Sequence, residues 1–270
     1  MPKRHPHVGR PNPLYSLIEP RAVLEMIALP YALPMLMSAP HGDGHPVLLL
    51  PGFMADEATL VALKFYLRNR GYQVETWGFG RNVGFQRKHA QALEQKIRYM
   101  HHKAGHKVSL VGWSLGGLFS YYGAHQAPEC VRNVITLGSP VTVDRTGSDA
   151  APLVKTLYRM IAHPMGPDAH TMNPRAKNLR EHKLLPIPMS CLYSLSDGVV
   201  PPQEATIDGV PGLHENLRVP GSHVGLGFNA MVLWIVADRL AQPEDQWRPF
   251  EPQGPCGSVY RLLTHAAVPI

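Results

Sequence analysis

Residues 107–117 read K-V-S-L-V-G-W-S-L-G-G, and residues 118–125 continue as L-F-S-Y-Y-G-A-H. Val108, Leu110 and Val111 form a short apolar run of strand length, and the stretch after Leu115 can continue as a helix to about Gln126. Between them stands one serine, Ser114, flanked at two residues' distance by Gly112 and Gly116. A strand that passes into a helix within so few residues needs a sharp, strained turn. Glycines remove the side chains that would collide there, and the serine hydroxyl is left projecting. Composition alone produces G-x-S-x-G in roughly one chain in ten of this length. Its place between a strand and a helix is what gives it weight.

Outward from this turn the same alternation continues. V-L-L-L (47–50) is a short buried strand ending at Pro51-Gly52. Asp56 to Arg70 carries Leu60, Leu63 and Leu67 at helical spacing and stops at Gly71. Y-Q-V-E-T-W (72–77) alternates as a strand does, and Gln86 to Ala104 reads as a helix closed by Gly105. Val131 to Leu137 predicts a strand ending in Gly138-Ser139-Pro140. P-M-S-C-L-Y-S (188–194) and N-L-R-V (216–219) predict two more, before a last helix from Asn229 to Gln242. Strands alternating with helices imply an α/β fold, with a mostly parallel central sheet covered by helices on both faces.

Residues 141–186 break the rhythm with a candidate helix at 152–162 and Pro- and His-rich sequence, and read as an inserted cap. The expected organisation is an N-terminal arm (1–45), a core (46–140 and 187–242), the cap (141–186) and a C-terminal tail (243–270). Many of the 27 prolines fall near the two ends, which predicts extended arms rather than regular structure. The apolar stretch 22–39 is interrupted by Glu25 and broken by Pro30 and Pro34. It therefore reads as an arm packed on the domain or on a second subunit, not as a signal peptide or membrane span.

The net charge is +6, but the basic residues are dispersed and no nucleic-acid-binding motif accompanies them, so a nucleic-acid partner is not expected. The three cysteines, Cys130, Cys191 and Cys256, have neither metal-type spacing nor an even count. They point to a reducing, cytoplasmic setting without a disulfide framework. His101, His102 and His106 fit no standard metal pair, and no metal or other cofactor is expected.

A serine hydroxyl attacks only when a base takes its proton, usually a histidine held by a carboxylate. Among 15 histidines, His223 in G-S-H-V-G lies in the loop between the last strand and the last helix. Asp197 in S-L-S-D-G-V-V-P-P directly follows the preceding strand, although Asp-Gly is also a common turn pair. Asp144, after the strand before that, is the other candidate acid. The chain order Ser114, Asp197, His223 favours Asp197. The developing oxyanion needs donors. The N–H of Leu115, after the serine, and that of Phe53, in L-L-L-P-G-F (48–53), stand where they are required.

Four segments, L-L-L-P-G-F (48–53), G-W-S-L-G-G (112–117), S-D-G-V-V-P (196–201) and G-S-H-V-G-L (221–226), together resemble the serine α/β-hydrolase superfamily, in particular bacterial esterase- and lipase-like members. The resemblance covers 48–226 and leaves out the arm and tail. Pro51-Gly52 stands where the family often has His-Gly, and Trp113 where it often has His or Tyr. A backbone donor survives the first change. The resemblance implies an α/β-hydrolase fold and hydrolysis of a carboxylic ester by Ser114, His223 and Asp197, with the N–H groups of Phe53 and Leu115 binding the oxyanion. An acyltransferase, thioesterase or peptidase would use the same groups, and a non-catalytic binding protein would need none of them. In the cap, Leu153, Leu157, Met160 and Ile161 share one helical face. Leu157 and Met160, with Trp113, are the expected substrate contacts for an apolar acyl group. A homo-oligomer is compatible with the apolar arm.

Overall fold

Six strands make one parallel sheet in the computed structural model, which describes residues 11–84, 86–142 and 184–265. The strands are β1 (Pro46–Leu50), β2 (Gln73–Thr76), β3 (Val108–Trp113), β4 (Val131–Leu137), β5 (Met189–Tyr193) and β6 (His214–Arg218), in the spatial order β2-β1-β3-β4-β5-β6. Every adjacent pair is parallel. β1 and β4 are buried along their whole length, as strands covered on both faces must be.

The two faces divide the side chains by strand period. Val47, Leu49, Val111 and Ile135 point into one core, packed by α4 (Val61–Asn69) and α7 (Ala230–Leu240). Leu48, Leu50, Leu110 and Val134 point into the other, against α5 (Arg87–Ala104) and α6 (Leu115–Gln126). The strand order reverses between β1 and β3. The crevice beyond the carboxyl ends of these two strands is where such sheets gather their functional groups.

The ends of the chain differ from expectation. Residues 13–37 form three short helices, α1 (Pro13–Leu17), α2 (Ala22–Ala28) and α3 (Leu33–Met37), and the tail carries α8 (Gly254–His265). Proline is the reason. Pro13 and Pro34 lie in the first turn of their helices, and Pro255 does the same in α8. A missing N–H costs nothing there, and the ring's φ suits the helix. The cap falls mostly within 143–183. Its candidate helix, with Leu157 and Met160, and Asp144 lie outside the described residues. Among the described residues, no helix is long and apolar enough to cross a membrane.

At the opposite, amino-terminal edge of the sheet, a second serine, histidine and aspartate meet. His45 Nδ1 lies 2.5 Å from Asp43 Oδ1 and His45 Nε2 2.8 Å from Ser109 Oγ, while Arg132 Nη1 donates to Asp43 Oδ2 at 2.7 Å. Burial decides what this cluster is. Ser109 is fully buried and inaccessible to any substrate, so the group ties β1, β3 and β4 together. Burial, reinforced by the Arg132 charge, pushes the His45 pKa down from 6.5 to about 4. The unfolded chain therefore binds a proton at His45 between these values and the native protein does not. This contribution to stability is complete above pH 6.5 and is lost as the pH falls towards 4. It amounts to about 3 kcal/mol across the window. Urea unfolding should thus show a steeper loss of stability from pH 6.5 to 4 in the wild type than in His45→Gln. Equal slopes would show that His45 does not carry it.

Candidate active site

Ser114 is the last residue before α6, at φ 53° and ψ −122°. Only two described non-glycine residues have positive φ, Ser114 and Met54, and both border the crevice. Such conformations cost of order 1–3 kcal/mol each and persist only where the surroundings enforce them. Here the enforcement is close packing. A Cβ on Gly116 would lie 2.2 Å from the Leu50 carbonyl oxygen, and one on Gly112 would lie 2.4 Å from the backbone of Gly116. The Ser114 N–H donates to the Leu137 carbonyl at 2.8 Å, which anchors the turn to β4.

His223 is 4% exposed, in the loop between β6 and α7. Its Nε2 lies 3.0 Å from Ser114 Oγ, and its Nδ1 lies 2.7 Å from Asp197 Oδ2. An ionised carboxylate can only accept, so neutral His223 carries its proton on Nδ1 and turns the Nε2 lone pair toward the serine. Asp197 is 2% exposed, and its other oxygen accepts from the N–H groups of Val199 and Val200, both at 2.8 Å. Burial alone would lower the His223 pKa. The Asp197 carboxylate beside it, and the charge of Glu19, outweigh burial and raise it. Of the two candidate acids, Asp197 lies beside His223, and Asp144 lies outside the described residues.

The loop after β1 lies against the serine turn. A Cβ on Gly52 would sit 3.2 Å from Ser114 Cβ, a tight contact that glycine avoids. Asn82, fully buried, pins the loop: its Nδ2 donates to the Pro51 carbonyl at 2.8 Å, and its carbonyl accepts from Met54 N–H at 2.7 Å. Phe53 stands between these two anchored residues. Leu115 is the first residue of α6, where a helix has no carbonyl of its own for the N–H and its dipole is positive. Trp113 is half-buried, and its indole N–H donates to the His223 carbonyl at 3.0 Å. It thereby ties the serine turn to the histidine loop.

Two sets of residues escaped the sequence reading. Asn82 lies in a loop with no motif. Glu19, Arg21 and Glu25 belong to the N-terminal arm and contact the loops of Asp197 and His223. Nothing local marks them, because their partners are 175–205 positions away. His101, His102 and His106 lie at the end of α5 and just beyond it, and no metal-holding group of His, Cys, Asp or Glu occurs among the described residues.

No protein-family model matches the sequence, and no curated protein matches it. Solved structures do match. Lipase B of Aspergillus fumigatus superimposes with a TM-score of 0.55 at 16% identity, over 78% of this chain and 56% of that one. The chain thus spans little more than half of that lipase. A pyrethroid hydrolase from Sphingobium faniae JZ-2 gives 0.51 at 17% identity, over 74% of this chain and 98% of its own. The mature lipase BlEst2 of Bacillus licheniformis gives 0.50 at 16%, over 74% and 92%. The chain has the α/β-hydrolase fold.

Proposed function

We propose that this α/β-hydrolase-fold chain is a serine hydrolase that cleaves carboxylic esters without a cofactor. The observation that carries the reading is the continuous line from Ser114 Oγ through His223 to Asp197, at 3.0 and 2.7 Å, at the carboxyl edge of the sheet. Ser114 Oγ attacks the ester carbonyl carbon while His223 Nε2 takes the hydroxyl proton. The C=O electron pair moves onto oxygen, and the N–H groups of Phe53 and Leu115 bind that oxyanion. The tetrahedral adduct collapses, the C–O bond to the alcohol breaks, and His223 returns the proton to the departing oxygen. Water, deprotonated by His223, then attacks the acyl carbon; the bond from that carbon to Ser114 Oγ breaks, His223 returns the proton to Oγ, and the acid leaves. Asp197 holds the imidazole in its working tautomer and offsets its transient positive charge. The lipases among the similar structures fit an ester substrate.

A fluorophosphonate probe tests the reading. It should label Ser114 at close to one equivalent, and a series of p-nitrophenyl esters of increasing chain length should be turned over. A folded protein that neither reacts with the probe nor hydrolyses any ester of the series would be a binding protein instead.

A further inference from the structure

The N-terminal arm packs on the domain and touches both loops that carry Asp197 and His223. Glu19, in the turn Glu19–Arg21, is 8% exposed. Its Oε1 accepts from Gly198 N–H at 2.8 Å and from the N–H of His223 itself at 3.0 Å, and its Oε2 accepts from Val224 N–H at 3.0 Å. One carboxylate thus joins the residue after Asp197 to the backbone of His223 and of the residue after it. The neighbouring groups act on the same two loops. Arg21 Nη2 donates to the Ser196 carbonyl at 2.6 Å and to the Gly221 carbonyl at 3.2 Å. Glu25 Oε1 accepts from Ser222 N–H and Oγ, both at 2.7 Å, and its Oε2 accepts from Asn229 Nδ2 at 2.7 Å. Ser16 Oγ donates to the Gly198 carbonyl at 2.5 Å.

The glycines of the two loops make room for this. A Cβ on Gly198 would meet the Tyr15 backbone at 2.5 Å, and one on Gly225 would meet Glu25 Oε2 at 2.3 Å. The Gly of S-D-G and the second Gly of G-S-H-V-G therefore seat the arm, in addition to shaping turns. All four residues flanking Asp197 and His223 are held by it: Ser196, Gly198, Ser222 and Val224.

We propose that Glu19 is a positioning residue for His223, joining the acid loop to the histidine loop and placing a negative charge beside the imidazole. The inference rests on the serine-hydrolase reading for its consequence in turnover, but its geometry stands apart from it. Among the described residues, Asp197 from the acid loop and Ser114 from the turn before α6 meet the imidazole itself, Glu19 from the arm holds the backbone N–H of His223, and Arg21 and Glu25 hold the neighbouring backbone. A negative charge favours the imidazolium, and Glu19 contributes to raising the His223 pKa. Removing that charge lowers the pH at which His223 becomes a free base.

The test uses the full chain and the variants Glu19→Gln and Glu19→Asp. An NMR titration of the His223 imidazole reads the charge effect without any turnover. Its midpoint should fall by about half a unit to one unit in Glu19→Gln and stay near wild type in Glu19→Asp. The acid limb of kcat/KM for a p-nitrophenyl ester, normalised to probe-labelled sites, should move down by the same amount. In both variants kcat should drop about 10- to 100-fold with little change in KM, as expected when a reacting group is displaced. A merely structural role would lower Tm and leave the midpoint of the titration where it was. That result, or equal shifts in both variants, would overturn the proposal. If Glu19→Gln does not fold, Glu19→Asp decides it alone: a tenfold or greater loss in kcat supports the role, and wild-type kcat overturns it. If the wild type hydrolyses no ester and yet the imidazole midpoint shifts in Glu19→Gln, the ester reading fails and the positioning role stands.

Discussion

Ser114→Ala is expected to fold as the wild type does and to lose ester hydrolysis by on the order of 10⁵- to 10⁶-fold in kcat. The fold should survive because the turn is enforced by its surroundings, not by the hydroxyl. The Leu137 carbonyl still receives the backbone N–H, and Gly112 and Gly116 still pack against each other. Alanine at φ 53° is as strained as serine, so the change in Tm should be small. Catalysis should not survive, because the attacking oxygen is gone and the neighbouring groups have nothing to activate. Residual turnover would come from binding and oxyanion stabilisation alone. Thermal unfolding and probe labelling check the two halves separately. Hydrolysis near the wild-type rate in a folded Ser114→Ala variant would remove the serine from the mechanism.

Asp197→Asn should cost on the order of 10³- to 10⁴-fold in kcat, for a different reason. The asparagine oxygen can still accept from Val199 and Val200 N–H, so the loop should hold its shape. The amide nitrogen then faces His223 Nδ1 as a donor. The imidazole must answer with a lone pair on Nδ1, which moves its proton to Nε2 and leaves nothing there to receive the proton of Ser114. Asp144→Asn should cost little. A near-normal rate for Asp197→Asn with a large loss for Asp144→Asn would reverse the assignment. Steady-state kinetics on one ester with both variants settles which carboxylate serves.

What could be read from the sequence concerned short-range geometry. The G-x-S-x-G turn announces itself because the collision it avoids involves residues within two positions of the serine. The strands announce themselves because burial on both faces of a parallel sheet demands uninterrupted apolar runs, as in V-L-L-L at 47–50. Even the order of serine, acid and base is linear information. Helices at the two ends were not legible, because the same prolines that break a helix interior begin one when they fall in its first turn.

The tertiary structure decided matters of contact and burial. Two Ser-His-Asp groupings occur among the described residues, and both have hydrogen-bond distances of 3.0 Å or less. Sequence marks only one of them, and only the sheet shows why. Ser109 is sealed at the amino-terminal edge, whereas Ser114 stands at the carboxyl edge, half-buried where the strand order reverses. The chain order favours Asp197, but a carboxylate 26 positions from its histidine becomes a partner only when β5 and β6 align side by side. Glu19 lies furthest from sequence reading. Its partners are 179 to 205 residues away, and a single carboxylate accepting three backbone N–H groups leaves no periodicity, spacing or composition by which to find it. Such a contact depends on where the whole chain closes on itself, which no local stretch encodes.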